Sequence, residues 1–136
     1  MSAAETFFDT SVLFYLLSKD AERADRIEAL LAEQGIISVQ VLNEFAAVAI
    51  RKLKLSLPEV KEILDTVRVV CDVESVTVET HDRALAIVER YGFSLYDSLL
   101  IAAALIADCK VLYSEVLQHG QLIDRQLRIL NPFVPR

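Results

Sequence analysis

The sequence predicts an α/β fold built on a mainly parallel sheet, and three observations carry that prediction. Short apolar segments alternate with longer amphipathic stretches along the whole chain. Helix start and stop signals stand between them, among them Ser56-Leu57-Pro58-Glu59 and Gly92. The run Leu99 to Ala107 is almost wholly apolar, and a helix that is apolar all round has to be covered on all sides. At 136 residues the chain is large enough for one domain with a real core, spanning residues 1–136.

Taken in order, Thr6 to Asp9 reads as a strand that ends in an acid, followed by a helix from Thr10 to Leu17. Ala21 to Glu33 is amphipathic, with Ala24, Ile27, Leu30 and Leu31 on one stripe, and Gly35 is read as its stop. Ile36 to Ser38 is a second strand, and Ser38 is placed to cap a helix from Val39 to about Lys54. That helix shows its apolar stripe at Leu42, Phe45, Ala46, Ala49, Ile50 and Leu53. The Ser56 capping box opens a helix to about Val67, and Val69 to Val73 reads as a third strand. A helix from Thr77 or Val78 runs to Tyr91, where Gly92 ends it. The buried helix Tyr96 to Asp108 follows, then strand Lys110 to Tyr113 and a polar turn, Ser114 to Gly120. Arg128 to Leu130 is a last short strand. Right-handed crossovers between such strands put helices on both faces of the sheet.

Composition narrows the function classes. A hydrophobic content of 54% is rich for a chain this small and predicts an apolar patch covered by a partner or a second copy. No run is long enough to cross a bilayer, and the N-terminus has no basic region ahead of an apolar segment, so the expectation is a cytoplasmic protein without a signal peptide. Cys71 and Cys109 lie in apolar segments and read as reduced core residues. A net charge of −6 argues against a nonspecific nucleic-acid binder that works by bulk positive charge. It leaves room for an enzyme that meets phosphate through bound cations.

Among twenty acidic residues, three stand apart by their neighbours. Asp9 closes the first strand, where the carboxyl edge of a parallel sheet carries its site; the same position also suits a helix cap. Glu44 has Val41 and Val48 at i−3 and i+4, and so no basic partner along its helix. Asp97 begins the apolar helix, where the macrodipole favours an anion and the adjoining core demands a partner. Standing alone, Glu44 also fits a surface position and Asp97 a dipole-stabilised one. If all three converge, two like charges about 4 Å apart cost about 4 kcal/mol at an effective dielectric of 20. Repulsion of that size raises their pKa values in a metal-free chain. A hard divalent cation relieves it, and carboxylate oxygens suit Mg²⁺ or Mn²⁺ rather than zinc. Such an ion serves phosphate chemistry by activating water and stabilising the leaving oxygen. Asp20, Asp25, Glu59, Glu62, Asp82, Glu89 and Asp124 read as solvated surface, and Arg51, Lys52 and Lys54 as a solvated helix end.

Four segments in order, FFDTSVLFYLL, ISVQVLNEF, YDSLLIAAAL and LYSEVLQHG, resemble the PIN-domain ribonucleases, with VapC-type toxins of bacterial toxin–antitoxin pairs as the nearest pattern. The resemblance covers essentially the whole chain. It implies a PIN-like three-layer α/β/α domain with a mainly parallel sheet of roughly five strands. It places the acidic site at Asp9, Glu44 and Asp97, as catalytic and metal-holding residues, with helper hydroxyls at Thr10, Ser11 and Ser114. It implies Mg²⁺- or Mn²⁺-dependent cleavage of RNA, a homodimer, and a small antitoxin that wraps the toxin and blocks the site. The helices Thr10–Leu17 and Val39–Leu53 are expected to line the antitoxin's groove.

One position departs from the pattern. Family members usually read Ser-Glu-Asp where this chain reads Ser114-Glu115-Val116. Valine roughly keeps the volume of aspartate but cannot ligate a cation or accept a proton, and Glu115 is expected to point elsewhere. Val116 is therefore expected to weaken metal binding and cleavage. It also keeps a second class open, a catalytically silent module that pairs with a protein or occupies RNA. A receiver-like or haloacid-phosphatase-like domain fits poorly, because Asp9 is followed by Thr10 and Ser11 rather than by further acids.

Overall fold

The computed structural model describes residues 5–134, so the expectation about the first four residues lies outside it. In chain order the elements are β1 (Thr6–Phe8), α1 (Thr10–Leu13), a 3-10 turn (Phe14–Leu17), α2 (Ala21–Ala32), β2 (Gly35–Ser38), α3 (Val39–Arg51) and α4 (Leu57–Val70). They continue with β3 (Cys71–Glu74), α5 (Val78–Tyr91), α6 (Leu95–Ile106), β4 (Val111–Tyr113), β5 (Leu122–Ile123) and β6 (Leu127–Leu130). The strands form one six-stranded sheet in the order β3-β2-β1-β4-β6-β5. All pairs are parallel except β5 with β6. The expected five strands become six because a two-residue strand, too short to show any period, pairs antiparallel at the edge.

Consecutive residues of a strand point to opposite faces. Phe7 and Phe8 are both fully buried, as are Ile37 and Leu112, with Ile36, Val111 and Tyr113 nearly so. Both faces of the central strands are therefore covered by helices, which is why these strands read as continuous apolar runs. The contiguous core takes in α6 from Leu100 to Leu105, confirming that the apolar helix is an interior one.

The termini of several helices follow local rules. Ser56 and Glu59 form the reciprocal capping box that opens α4, and Gly92 closes α5 at φ 76°. Elsewhere tertiary packing overrides local propensity. The β-branched run near Val69 stays helical because Val60 and Val67 are buried at i and i+7, while Val69 points to solvent; α4 ends at Val70 and the strand starts at Cys71. The expected helix over Thr10–Leu17 tightens into 3-10 geometry at Phe14, whose ring stacks on Phe45 with centroids 4.7 Å apart. Gly35 is not the stop of α2. Gln34 takes the left-handed turn at φ 66°, and Gly35 belongs to β2. Its role is space: a Cβ there would lie 2.3 Å from Cε2 of Phe8.

Cys71 and Cys109 are free and buried, and burial pushes each thiol up to about 12. Thiols held protonated in this way are inert core residues.

Candidate active site

The strand order fixes where a site can form. From β1 the chain runs outward on one side through β2 and β3, then returns to pair β4 on the other side of β1. The carboxyl ends of β1 and β4 flank this switch point, the place where open parallel sheets bind ligands. Thr6, Phe7 and Phe8 pair with Val111, Leu112 and Tyr113, so Asp9 and Ser114 emerge side by side.

Asp9 is almost fully buried. Its Oδ2 accepts the hydroxyl of Ser114 at 2.8 Å and that of Ser11 at 3.0 Å. Burial raises the Asp9 pKa, the two serine hydroxyls and the Thr10 N–H oppose the rise, and the charge of Asp97 adds to it. Ser114 also accepts from the backbone N–H groups of Val116 and Leu117, each at 3.2 Å. Ser11 accepts from the N–H of Glu115 at 3.3 Å. The two serines thus tie the turn after β4 to the end of β1.

Glu44 projects from α3, exposed at the rim. Partial desolvation raises its pKa, the Gln40 amide opposes this, and the charges of Asp9 and Asp97 raise it further. Gln40 was not singled out from the sequence. Its Nε2 donates to Oε1 of Glu44 at 2.7 Å and to the carbonyl oxygen of Tyr96 at 3.0 Å. It therefore links α3 to the first turn of α6, where Asp97 sits half-buried. Ser94 caps that turn by accepting the N–H of Asp97 at 3.2 Å. The only sequence signal for Gln40 is its i−4 spacing from Glu44 on one helix face.

The three acids therefore share one electrostatic neighbourhood, and no ion pair with Lys, Arg or His involves any of them among the described residues. They are not drawn into a closed metal-ligand group: no cluster of three or more His, Cys, Asp or Glu of that kind occurs among the described residues. Among the described residues, the buried hydroxyls of Thr10, Ser38 and Ser98 lack a hydrogen-bond partner. Thr10 follows Asp9, Ser98 follows Asp97, and Ser38 ends β2, opposite Asp9 when the β1–β2 register is continued. Ser38 has the position of a helix cap without the cap bond expected of it.

Glu115 turns away from this cluster. Its carboxylate accepts the Tyr15 hydroxyl and meets Nη1 of Arg23 at 3.5 Å. The Arg23 guanidinium lies 4.8 Å from the centre of the Phe133 ring, which packs edge-on against Tyr15. Val116 is 68% exposed and adds no polar side chain.

Leu13 is fully buried, whereas Leu16 and Leu17 are half-buried and open onto an apolar groove of about 420 Å³. The other walls come from Leu31 of α2 and Ile63, Val67 and Val70 of α4. No α3 residue lines this groove: the Phe14–Phe45 stack and the burial of Val41, Phe45 and Ala49 turn one face of that helix to the core, while its Val39, Gln40, Asn43 and Glu44 line a different pocket.

No curated protein sequence matches the chain significantly. Solved structures do share its fold. VapC20 of Mycobacterium tuberculosis, a toxin that cleaves the sarcin–ricin loop, aligns with a TM-score of 0.63 at 20% identity, over 80% of this chain and 88% of its own. A chain of a toxin–antitoxin complex from Klebsiella pneumoniae gives 0.71 at 19% identity, over 94% and 98%. VapBC2 from Rickettsia felis, bound to a DNA fragment from its promoter, gives 0.66 at 17% identity, over 93% and 98%. Residues 6–115 match the PIN domain, a stretch that runs from β1 to the start of the turn after β4 and contains Asp9, Glu44, Asp97 and Glu115. The chain belongs to the PIN domain family.

Proposed function

We propose that the chain is a divalent-cation-dependent endoribonuclease acting as the toxin of a toxin–antitoxin pair. The observation that carries this reading is geometric: Asp9 emerges at the switch point, Gln40 joins Glu44 to the first turn of α6 that carries Asp97, and no cationic side chain is paired to any of the three among the described residues. Family membership and the likeness to VapC20 support the same direction.

The donor set fits Mg²⁺ or Mn²⁺: hard carboxylate oxygens beside buried hydroxyls that lack partners. Held by Asp9, Glu44 and Asp97, the ion would supply activation of water and neutralisation of charge at the phosphate. The remaining work belongs to the chain. Ser114 and Ser11 hold one oxygen of Asp9 in place, and Gln40 steadies Glu44.

The groove at Leu16 and Leu17 supports an antitoxin segment with an apolar face, and the exposed Ile50, Leu53 and Leu57 support a separate homodimer contact. No helix among the described residues is long and apolar enough to cross a membrane, and the proposed location is the cytoplasm.

A second reading, a PIN-fold binding module without catalysis, is favoured by one arrangement: Val116 brings no carboxylate, and Glu115 is engaged by Tyr15 and Arg23. Incubating the chain and its Asp97→Asn variant with total RNA separates the two. The nuclease reading expects cleavage that needs Mg²⁺ or Mn²⁺, is stopped by a chelator, and falls about 100-fold in the variant, a loss of about 2.7 kcal/mol in transition-state stabilisation. RNA left intact under every metal condition, with binding retained, transfers the conclusion to the binding module.

A further inference from the structure

Beside the acidic cluster lies a second pocket that the catalytic reading does not use. It has a volume of about 310 Å³ and is lined by Val39, Gln40, Asn43, Glu44, Val76, Tyr96 and Leu99. Tyr96, in the first turn of α6, forms one wall and is 69% exposed, a high exposure for an aromatic ring. Its backbone is fixed, because its carbonyl accepts from Gln40, while its ring has no stacking partner among the described residues. Glu44 belongs to both places: it lines the pocket and is coupled to Asp9 and Asp97.

The chemistry of the walls selects the occupant. No Lys, Arg or His lines the pocket, and it carries one carboxylate, so a phosphate would be repelled. Apolar side chains, one ring face and the Asn43 amide suit a neutral, planar heterocycle with hydrogen-bonding edges. Single-stranded RNA is read in this way, by unstacked bases laid on aromatic side chains and bonded at their edges. A second copy of the chain is a poorer occupant, since a symmetric contact would bring the Glu44 carboxylates of both copies together without a cation.

We propose that this pocket is a base subsite: it takes one nucleobase of single-stranded RNA next to the phosphate held at the acidic cluster, with Tyr96 as the stacking residue and Asn43 reading the base edge. The inference rests on the ribonuclease reading above and adds to it the place where sequence preference is set. Tyr96 is on the surface and bonds Gln40 only through its backbone, so its side chain can be replaced without disturbing the fold.

The chain has no tryptophan, so Tyr96→Trp makes a single fluorescent reporter at the pocket. The test titrates this variant with short single-stranded RNA oligonucleotides in Ca²⁺, alongside anisotropy measurements on the parent, Tyr96→Phe and Tyr96→Ala. The probes are intact oligonucleotides and matched ones with a single abasic position. The expected results are quenching of the introduced indole by intact RNA, parent-like binding by Tyr96→Phe, and about tenfold weaker binding by Tyr96→Ala. The abasic probe should bind the parent as weakly as intact RNA binds Tyr96→Ala, and Asn43→Ala should change the preference among bases. Tyr96→Ala binding both probes like the parent overturns the subsite while leaving the ribonuclease reading intact. Loss of a dimer in Tyr96→Ala by sedimentation, with RNA affinity unchanged, overturns it in favour of a second copy. A parent that binds no RNA removes both the subsite and the reading beneath it.

Discussion

Asp9 and Asp124 are both aspartates in strand-terminal turns, and they are treated in opposite ways. Asp124 sits in the turn between β5 and β6 at φ 49° and is surrounded by partners. Its Oδ1 accepts the Tyr91 hydroxyl at 3.0 Å, that same hydroxyl accepts the Asp124 N–H at 2.8 Å, and Arg83 and Arg90 lie 3.4 Å and 3.5 Å from its carboxylate. Asp9 is more deeply buried, yet it receives only neutral donors, and other acids face it. A carboxylate whose charge is met inside the chain belongs to the architecture. Asp9, buried and met by neutral donors alone, is where the proposed cation would bind.

Replacing each aspartate should therefore move stability in opposite directions. Asp124→Ala loses the Tyr91 bond and leaves alanine in a left-handed conformation. We expect a loss of about 2 kcal/mol, read as a lower midpoint in urea, with Mg²⁺ affinity unchanged. The two arginines add little to that figure because they are largely exposed. A change in Mg²⁺ affinity would erase the distinction between the two aspartates.

Asp9→Asn should stabilise the metal-free chain by about 1 kcal/mol, or roughly 3–5 °C in Tm, and abolish any rise in Tm on adding Mg²⁺. The effect depends on pH. The folded chain holds the Asp9 proton more tightly than the unfolded chain does, so the stability linked to it is complete below its ordinary value of 3.8 and is lost as pH rises through the raised folded value. Glu44 contributes with the same sign. Thermal melts of the metal-free parent from about pH 3.5 upward should show this decline, and Asp9→Asn should flatten it. An unchanged slope would mean that the Asp9 charge is already met.

Val116→Asp is expected to have the smallest effect on the fold. The side chain is exposed, and its backbone N–H bonds Ser114 whatever residue stands there. The metal-free chain should lose at most about 0.5 kcal/mol. Mg²⁺ or Mn²⁺ binding by calorimetry should tighten about three- to tenfold as negative potential is added to the cleft, and RNA cleavage should rise with it. Equal metal affinity in the two forms would make position 116 dispensable.

What the sequence made legible was what is encoded locally. The buried helix α6 was visible in its composition, the start of α4 in Ser56 and Glu59, and the bounds of α5 in Thr77 and Gly92. Alternation of strands and helices was enough for the parallel sheet and for Asp9 at its carboxyl edge. Long-range partnerships were not legible. Nothing near Glu115 announces Tyr15 and Arg23, which lie 100 and 92 residues away, and nothing near Gln40 announces the Tyr96 carbonyl 56 residues on. Asp124 read as solvated because its arginines and Tyr91 belong to another element. Gly35 read as a helix stop because the ring it makes room for is on a different strand. In each case the cause is a contact brought about by topology, which periodicity and capping do not encode.

The bond from Ser114 to Asp9 spans 105 residues, and that separation gives the site a history in time. A growing chain carries Asp9 early, but the carboxylate cannot acquire its seat until β4 has been made and has closed against β1. Closing so long a loop is entropically costly and slow compared with forming any helix here. The cleft is therefore among the last parts of the molecule to exist. A chain still emerging from the ribosome that makes it has not yet assembled the proposed site.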